Sequence, residues 1–288
     1  MSAPVTMLFF RSVRRLLLAG MALAAGLTWT RAQFEGPPDI ARIEAAGELR
    51  IAMTADLWPP FFYLNKSGEL AGLDVDLATE IARRLGVRVR FVREAKTFDE
   101  IVTMVVERRA DIAVAYLSDT LERARLVRFT QPYVQVKPAV LINRALAGAA
   151  RRGRDHRSIL NHATARIGVT TGTSAESFAA ADYPLATIVS YDTWGEITRD
   201  LAAEKLTAGL SDEIDAKSWQ TAHPQEAITI ETIIREGPPD TMGIAVHRDD
   251  PQLLYWLNHF LTLKHQDGSL RQLHANYIEN DLWKKDLQ

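Results

Sequence analysis

Two hydroxyl-rich segments of this 288-residue chain run into helix starts, and they hold the side chains best suited to gripping a small ion. The first is Ser118-Asp119-Thr120-Leu121-Glu122-Arg123, in which Thr120 reads as an N-cap and Arg123 falls in the first helical turn. A cation is disfavoured at that end of a helix, so a guanidinium there makes sense when an anion compensates it. The second is Thr170-Thr171-Gly172-Thr173-Ser174, ahead of a helix near Ala175–Ala181. Helix N-termini offer free backbone N–H groups and partial positive charge, so two such loops facing across a cleft would clamp one carboxylate. Asp212 ends a strand and is placed to complement a cation such as an α-ammonium, while Trp58 lies on an aromatic loop that could pack on a ligand side chain. Each residue has an ordinary structural alternative. Asp212 could cap the following helix, Arg123 could make a surface ion pair, Thr173 and Ser174 could be helix caps, and Trp58 could be core.

Other chemistries lack their residues. There is no Cys, which excludes disulfides, thiolate metal sites and a Cys nucleophile. No G-x-S-x-G, H-E-x-x-H, P-loop or G-x-G-x-x-G occurs, and the seven His form no i, i+4 pair. No catalytic residue, metal or cofactor is therefore assigned. Carboxylate pairs such as Asp74/Asp76 and Asp212/Glu213 are expected by chance among 36 acidic residues. The formal net charge of −2 gives no electrostatic case for nucleic acid.

The elements that must carry these loops follow from length and periodicity. At 47% apolar and 24% charged residues the chain is of globular type, and its length suggests about two domains. Residues 1–32 contain Arg11, Arg14, Arg15 and Arg31 and no acid, with an apolar run from Leu16 to Leu27 and a small-residue exit at Thr30-Arg31-Ala32. This reads as a cleaved secretory signal peptide, since the run is shorter than the ~20 residues of a membrane span. Removing it leaves 30 basic against 36 acidic residues, a mildly acidic exported protein, and export without an anchor points to the Gram-negative periplasm.

Beyond it, Gly47–Met53 reads as a strand. Leu77, Ala78, Ile81, Ala82 and Leu85 lie at helical spacing, Val87, Val89 and Phe91 alternate, Thr97–Glu100 forms a capping-box pattern, and Asp111–Ala115 is a further strand. Strand and helix alternate again from Val140, with strands at Arg166–Val169 and Ile188–Tyr191, a second capping box at Thr193–Glu196 and a run from Leu206 into Asp212. The basic stretch Arg144–Arg157 reads as a solvated loop. Thr241–Val246 is a returning strand, and two helices close the chain. Two βαβ-type lobes are the simplest arrangement, with ligands expected at the carboxyl ends of strands.

Several of these segments, in order, resemble bacterial periplasmic solute-binding proteins of the polar amino-acid type, solute-binding family 3. Gly72-Leu73-Asp74-Val75-Asp76-Leu77-Ala78 is similar to the family's G-F-D-V-D-L-A. Asp111 to Arg123 follows its D-x-x-x-A-x-x-T-x-T-x-E-R spacing, Phe129–Tyr133 resembles F-S-x-P-Y, and Ile167–Ser174 resembles I-G-V-x-x-G-T-T. Gly243–Val246 resembles the family's return strand, and the likeness covers about residues 47–283.

The resemblance implies a two-lobed α/β periplasmic-binding-protein-like fold (type II), its lobes joined by two hinge strands. Lobe one would be 33–138 plus 239–288 and lobe two 139–238. It implies that Arg123 pairs with a ligand carboxylate, helped by Ser118, Thr173 and Ser174. Asp212 would receive an α-ammonium, Trp58 would lie near the ligand side chain, and Thr170 and Tyr116 would border its pocket.

The chain departs from the family at Tyr116 (often Gly or Ser), Leu121 (Pro), Arg108 (Gly) and Thr207 (Asp), and carries one extra residue between Ile51 and Pro59. Trp58, Tyr116 and Thr170 offer no counter-charge for a charged side chain, which favours a neutral ligand. The implied function is capture of a free amino acid or related small carboxylate by a monomer that delivers it to an inner-membrane ABC permease. The family also contains periplasmic cyclohexadienyl dehydratases, for which Glu94 and Glu176 would be candidate general acids. A sensor or a dehydrogenase-associated binding module is a further alternative.

Overall fold

In the computed structural model, which describes residues 36–148, 155–280 and 282–287, the chain builds two sheets in succession and then returns to the first. The signal segment expected at 1–32 lies outside the described residues, as do Arg151, Arg152 and Arg154 of the basic loop. Helix α1 (Pro38–Ala46) opens with proline in its first turn, a position that needs no N–H donor. It leads into β1 (Glu48–Thr54), the hairpin β2 (Tyr63–Leu64) and β3 (Leu70–Ala71), α2 (Leu73–Arg84) and β4 (Arg88–Ala95). Next come α3 (Phe98–Val106), β5 (Ile112–Ala113), the single turn α4 (Leu121–Ala124), β6 (Val127–Phe129) and β7 (Val134–Val136). The apolar spacing read for α2 is its buried face: Leu77, Ala78, Ile81 and Ala82 are all buried.

The second unit runs β8 (Pro138–Asn143), α5 (Arg144–Ala147), α6 (His156–Leu160), β9 (Arg166–Thr170), α7 (Ser174–Asp182), β10 (Thr187–Tyr191), α8 (Trp194–Ala202), β11 (Ala208–Asp212), α9 (Glu213–Ala222) and β12 (Ile230–Ile234). The chain then crosses back through β13 (Asp240–Met242) to β14 (Ala245–His247), α10 (Pro251–Gln266) and α11 (Ser269–His274). The single returning strand expected at Thr241–Val246 is thus two strands, and β12, absent from the sequence reading, is the second sheet's edge. The described ends of the expected basic loop are helical turns, α5 and α6.

The first sheet has strand order β4-β1-β5-β14-β6 and the second β10-β9-β11-β8-β12. In each, three neighbouring strands run parallel, and antiparallel strands complete one side. A separate antiparallel pair, β7 with β13, lies where the chain crosses between the sheets, with Asp240 opposite Val136. One continuous apolar core covers the first sheet, and two smaller clusters cover the two faces of the second. Gly209 lets α8 press onto the second sheet, since a Cβ there would stand 2.6 Å from Ile197 Cγ2.

Two of the departures from the family share a backbone cause. Arg108 and Tyr116 both have positive φ, 57° and 51°, where glycine is at ease and side chains are strained. Both are compensated. The Arg108 guanidinium donates to both Asp250 carboxylate oxygens at 3.0 and 3.1 Å, and Tyr116 stacks on Phe61 with ring centroids 3.6 Å apart. Buried Asp111, held by Arg42 and Arg50, pins the entry to β5, so the strand that leads to Tyr116 and Ser118 is fixed at its far end.

Candidate functional site

The carboxyl ends of the parallel strands in both sheets point toward one cavity between the lobes, as expected for open α/β sheets. All eight residues singled out in the sequence line it: Trp58, Tyr116, Ser118 and Arg123 from the first lobe, Thr170, Thr173, Ser174 and Asp212 from the second. The lobes are closed on it. Across the gap, Arg123 Nη2 donates to the Gly172 carbonyl at 3.1 Å and the Tyr116 hydroxyl donates to Asp212 Oδ2 at 2.8 Å. Gly172, at φ +69°, lies so near Thr97 that a Cβ would approach the threonine Cβ to 2.7 Å.

Arg123 is 6% exposed and sits as the sequence suggested, behind a Thr120 cap that accepts its backbone N–H. The compensating anion is already present, because Nε donates to Asp99 Oδ1 at 3.0 Å. Nη1 donates to the Ser118 carbonyl at 3.1 Å. A guanidinium has five N–H groups, so one hydrogen on each terminal nitrogen stays available to the cavity. Arg123 therefore makes an ion pair, but from a buried position, and also lines the cavity.

The hydroxyls expected to hold a ligand carboxylate are engaged elsewhere. Ser118 Oγ and Ser174 Oγ, one from each lobe, lie 2.9 and 3.0 Å from the same Asp240 oxygen. Thr173 Oγ1 donates to the Thr170 carbonyl at 2.6 Å and does not cap α7. Asp212 does cap: its Oδ1 accepts the Ile214 and Asp215 N–H groups, while Oδ2 meets Tyr116. Thr170 is buried on the wall, and Trp58 meets Phe98 edge-on at 5.0 Å.

Sequence reasoning missed Asp215, Asp240, Phe98 and Phe178, which also line the cavity. Asp215 was findable, one turn beyond Asp212 on α9. Asp240 gave no local signal, since a strand-edge acid after Pro238-Pro239 reads as surface. With them the wall carries three carboxylates and one guanidinium, which overturns the expectation of a pocket without counter-charge. These acids are half-buried and line the cavity. Burial, followed by the neighbouring Asp212 charge, pushes Asp215 up to about 7. Burial also raises Asp212, against the Tyr116 hydroxyl and two N–H groups, and raises Asp240, against its two serines and the Arg123 charge. Burial and the Asp212 charge hold the Tyr116 hydroxyl well above its usual range, so it stays a donor.

Of the acids considered for a dehydratase, neither lines the cavity. Glu94 is exposed near Arg109, and Glu176 braces its own loop by accepting the Gly172 N–H at 2.8 Å and the Ser190 hydroxyl at 2.7 Å. Among the described residues no helix is long and apolar enough to cross a membrane.

Comparison with known proteins agrees with this architecture. The profile of the bacterial extracellular solute-binding proteins, family 3, matches residues 49–280. ABC transporter arginine-binding protein 1 of Escherichia coli is 25% identical over 230 residues, covering 80% of this chain and 90% of that protein. A putative binding component of an ABC transporter from Wolinella succinogenes, solved in complex with lysine, superposes with a TM-score of 0.72 at 26% identity, covering 83% of this chain and 99% of that one. An ancestral amino acid-binding protein, described as a precursor of cyclohexadienyl dehydratase, superposes with a TM-score of 0.70 at 26% identity, covering 83% and 98%.

Proposed function

The chain belongs to the bacterial extracellular solute-binding proteins, family 3, and from that premise we propose that it is a periplasmic receptor that captures a small positively charged solute, a cationic amino acid or an amine of that kind, and hands it to an inner-membrane ABC permease. The observation that carries this reading is the interlobe cavity with Asp212, Asp215 and Asp240 on its wall against Arg123 alone. A cation there meets carboxylates that burial has made costly to ionise without a partner, so binding relieves a penalty the empty protein bears. The relatives named for arginine and lysine support the same sign of charge.

In this proposal the segments 33–138 plus 239–288 and 139–238 move as two jaws about β7 and β13. Contacts from both jaws to the solute favour the closed state, and the permease reads closure. A cleaved signal at 1–32 delivers the protein to the periplasm as a monomer. It performs no covalent chemistry, a view supported by the placement of Glu94 and Glu176 away from the cleft.

A thermal-shift screen against amino acids and aliphatic amines tests this. A ligand at 100 times its Kd stabilises by ~2.7 kcal/mol, or roughly 5–10 °C for a domain pair of this size. No shift with any cationic solute overturns the proposal. Co-purification with a permease would test the partner.

A further inference from the structure

Within that reading, on which this inference rests, we infer that the cleft is built for a cation that brings no carboxylate of its own, an α,ω-diamine or an aminoalkylguanidine, with Asp240 as the residue that sets this preference. A free amino acid needs donors for its carboxylate as well as acceptors for its ammonium. Most of the hydroxyl donors on the cavity wall are engaged. The Tyr116 hydroxyl points at Asp212. The Ser211 hydroxyl donates to Asp215 at 2.7 Å. Thr173 donates to a backbone carbonyl, and the Ser118 and Ser174 hydroxyls converge on Asp240. What remains is acceptor capacity, since each carboxylate oxygen has two lone pairs and about half of those on Asp212, Asp215 and Asp240 are taken.

Asp240 stands on β13, where the chain crosses between the sheets, and it bonds a serine from each lobe. The protein thus supplies a carboxylate to the hydroxyl pair that a ligand carboxylate would otherwise use. Two N–H groups on Arg123 are still open. A ligand carboxylate drawn to them would share that single positive charge with Asp99 and Asp240, and both would repel it. A dication meets no such conflict. One end would pair with Asp212 and Asp215 and the other with Asp240, all on the wall of one cavity that Trp58 and Phe178 also line.

Calorimetry on the purified protein at pH 8 with three matched pairs tests this: agmatine and arginine, cadaverine and lysine, putrescine and ornithine. Each pair differs only by the carboxylate. The expected result is that in the best-binding pair the amine binds about a hundredfold tighter than the amino acid, the scale of one like-charge contact in a protein environment. An amino acid that binds as well as its amine overturns the inference but leaves the solute-receptor reading standing. No binding in any pair overturns both. Asp240→Asn, isosteric and still able to accept the serine hydroxyls, should cut the amine-to-amino-acid ratio at least about tenfold. Ser118→Ala, which loosens Asp240 without removing its charge, should lower the ratio less. A ratio unchanged in Asp240→Asn, with an unfolding temperature like the parent's, removes Asp240 as the determinant.

Discussion

Replacing Asp212 with Asn separates the two things its carboxylate does. Oδ1 caps α9 through the Ile214 and Asp215 N–H groups at 2.7 and 3.1 Å, and Oδ2 accepts the Tyr116 hydroxyl at 2.8 Å. Asn is as good an N-cap as Asp. Its amide NH2 would face Tyr116, whose hydroxyl can turn from donor to acceptor. The fold keeps its hydrogen bonds and the cavity loses one negative charge. Removing one partner of a buried charge pair costs roughly 3–5 kcal/mol. Asp212 keeps some surface open to the cleft, so the lower end applies, about 3 kcal/mol or about two decades of affinity for a cationic ligand. Stability should go the other way. The folded protein holds the Asp212 proton more tightly than the unfolded chain, so the ionised acid subtracts stability as pH rises through its folded pKa. Asn carries no such cost, so the ligand-free unfolding temperature at pH 7 should hold or rise. Calorimetry with the best-binding cation, beside thermal unfolding without ligand, measures both. An affinity change under about fivefold, or a ligand-free fall of more than about 5 °C, would refute the reasoning.

Three further outcomes follow from the same geometry. Because Asp215 keeps its proton up to about pH 7 and a cation favours its ionised form, affinity should climb by up to about tenfold per unit from pH 5.5 to 7 and flatten above; Asp215→Asn should abolish the slope in calorimetry across that range. Gly172→Ala sets a Cβ against Thr97 in a left-handed backbone, so it should hold the jaws apart and weaken ligand binding at least about tenfold, with a larger radius of gyration by small-angle scattering in saturating ligand. Asp74 is wholly buried, and burial pushes it up to about 8 against the Tyr133 hydroxyl and the Tyr116 N–H. Its contribution is whole below the unfolded pKa and is lost as pH rises toward 8, so Asp74→Asn should raise the unfolding temperature at pH 9 by more than at pH 5.

The sequence carried the frame of this site further than its chemistry. Local signals were strong where one element decides the outcome. The Thr193 box forms with both reciprocal bonds, Thr120 caps the turn that holds Arg123, and the apolar stripe of α2 is buried as spaced. At Thr97 the cap forms, but the Glu100 side chain reaches the Lys96 N–H and not that of Thr97 itself. Strand β12 escaped notice because it is an edge strand whose residues are mostly half-buried, which blurs the alternation that marks a strand. Asp240 was missed on the pocket wall because its place there depends on convergence. Asp240 is 122 residues from Ser118 and 66 from Ser174 in the chain, and nothing in its neighbours shows that three strand ends meet there. Tyr116 was expected to border the pocket; the structure adds that its hydroxyl spans the gap to Asp212.

The central claim is that a cation is held between the jaws by the acids of the cleft, and a crystal structure with the tightest-binding solute tests it most directly. The account predicts closed lobes with a ligand nitrogen about 3 Å from an oxygen of Asp212 or Asp215 and Arg123 still paired with Asp99. A solute bound outside the interlobe cavity, or one whose charged nitrogen meets none of these acids, would contradict it.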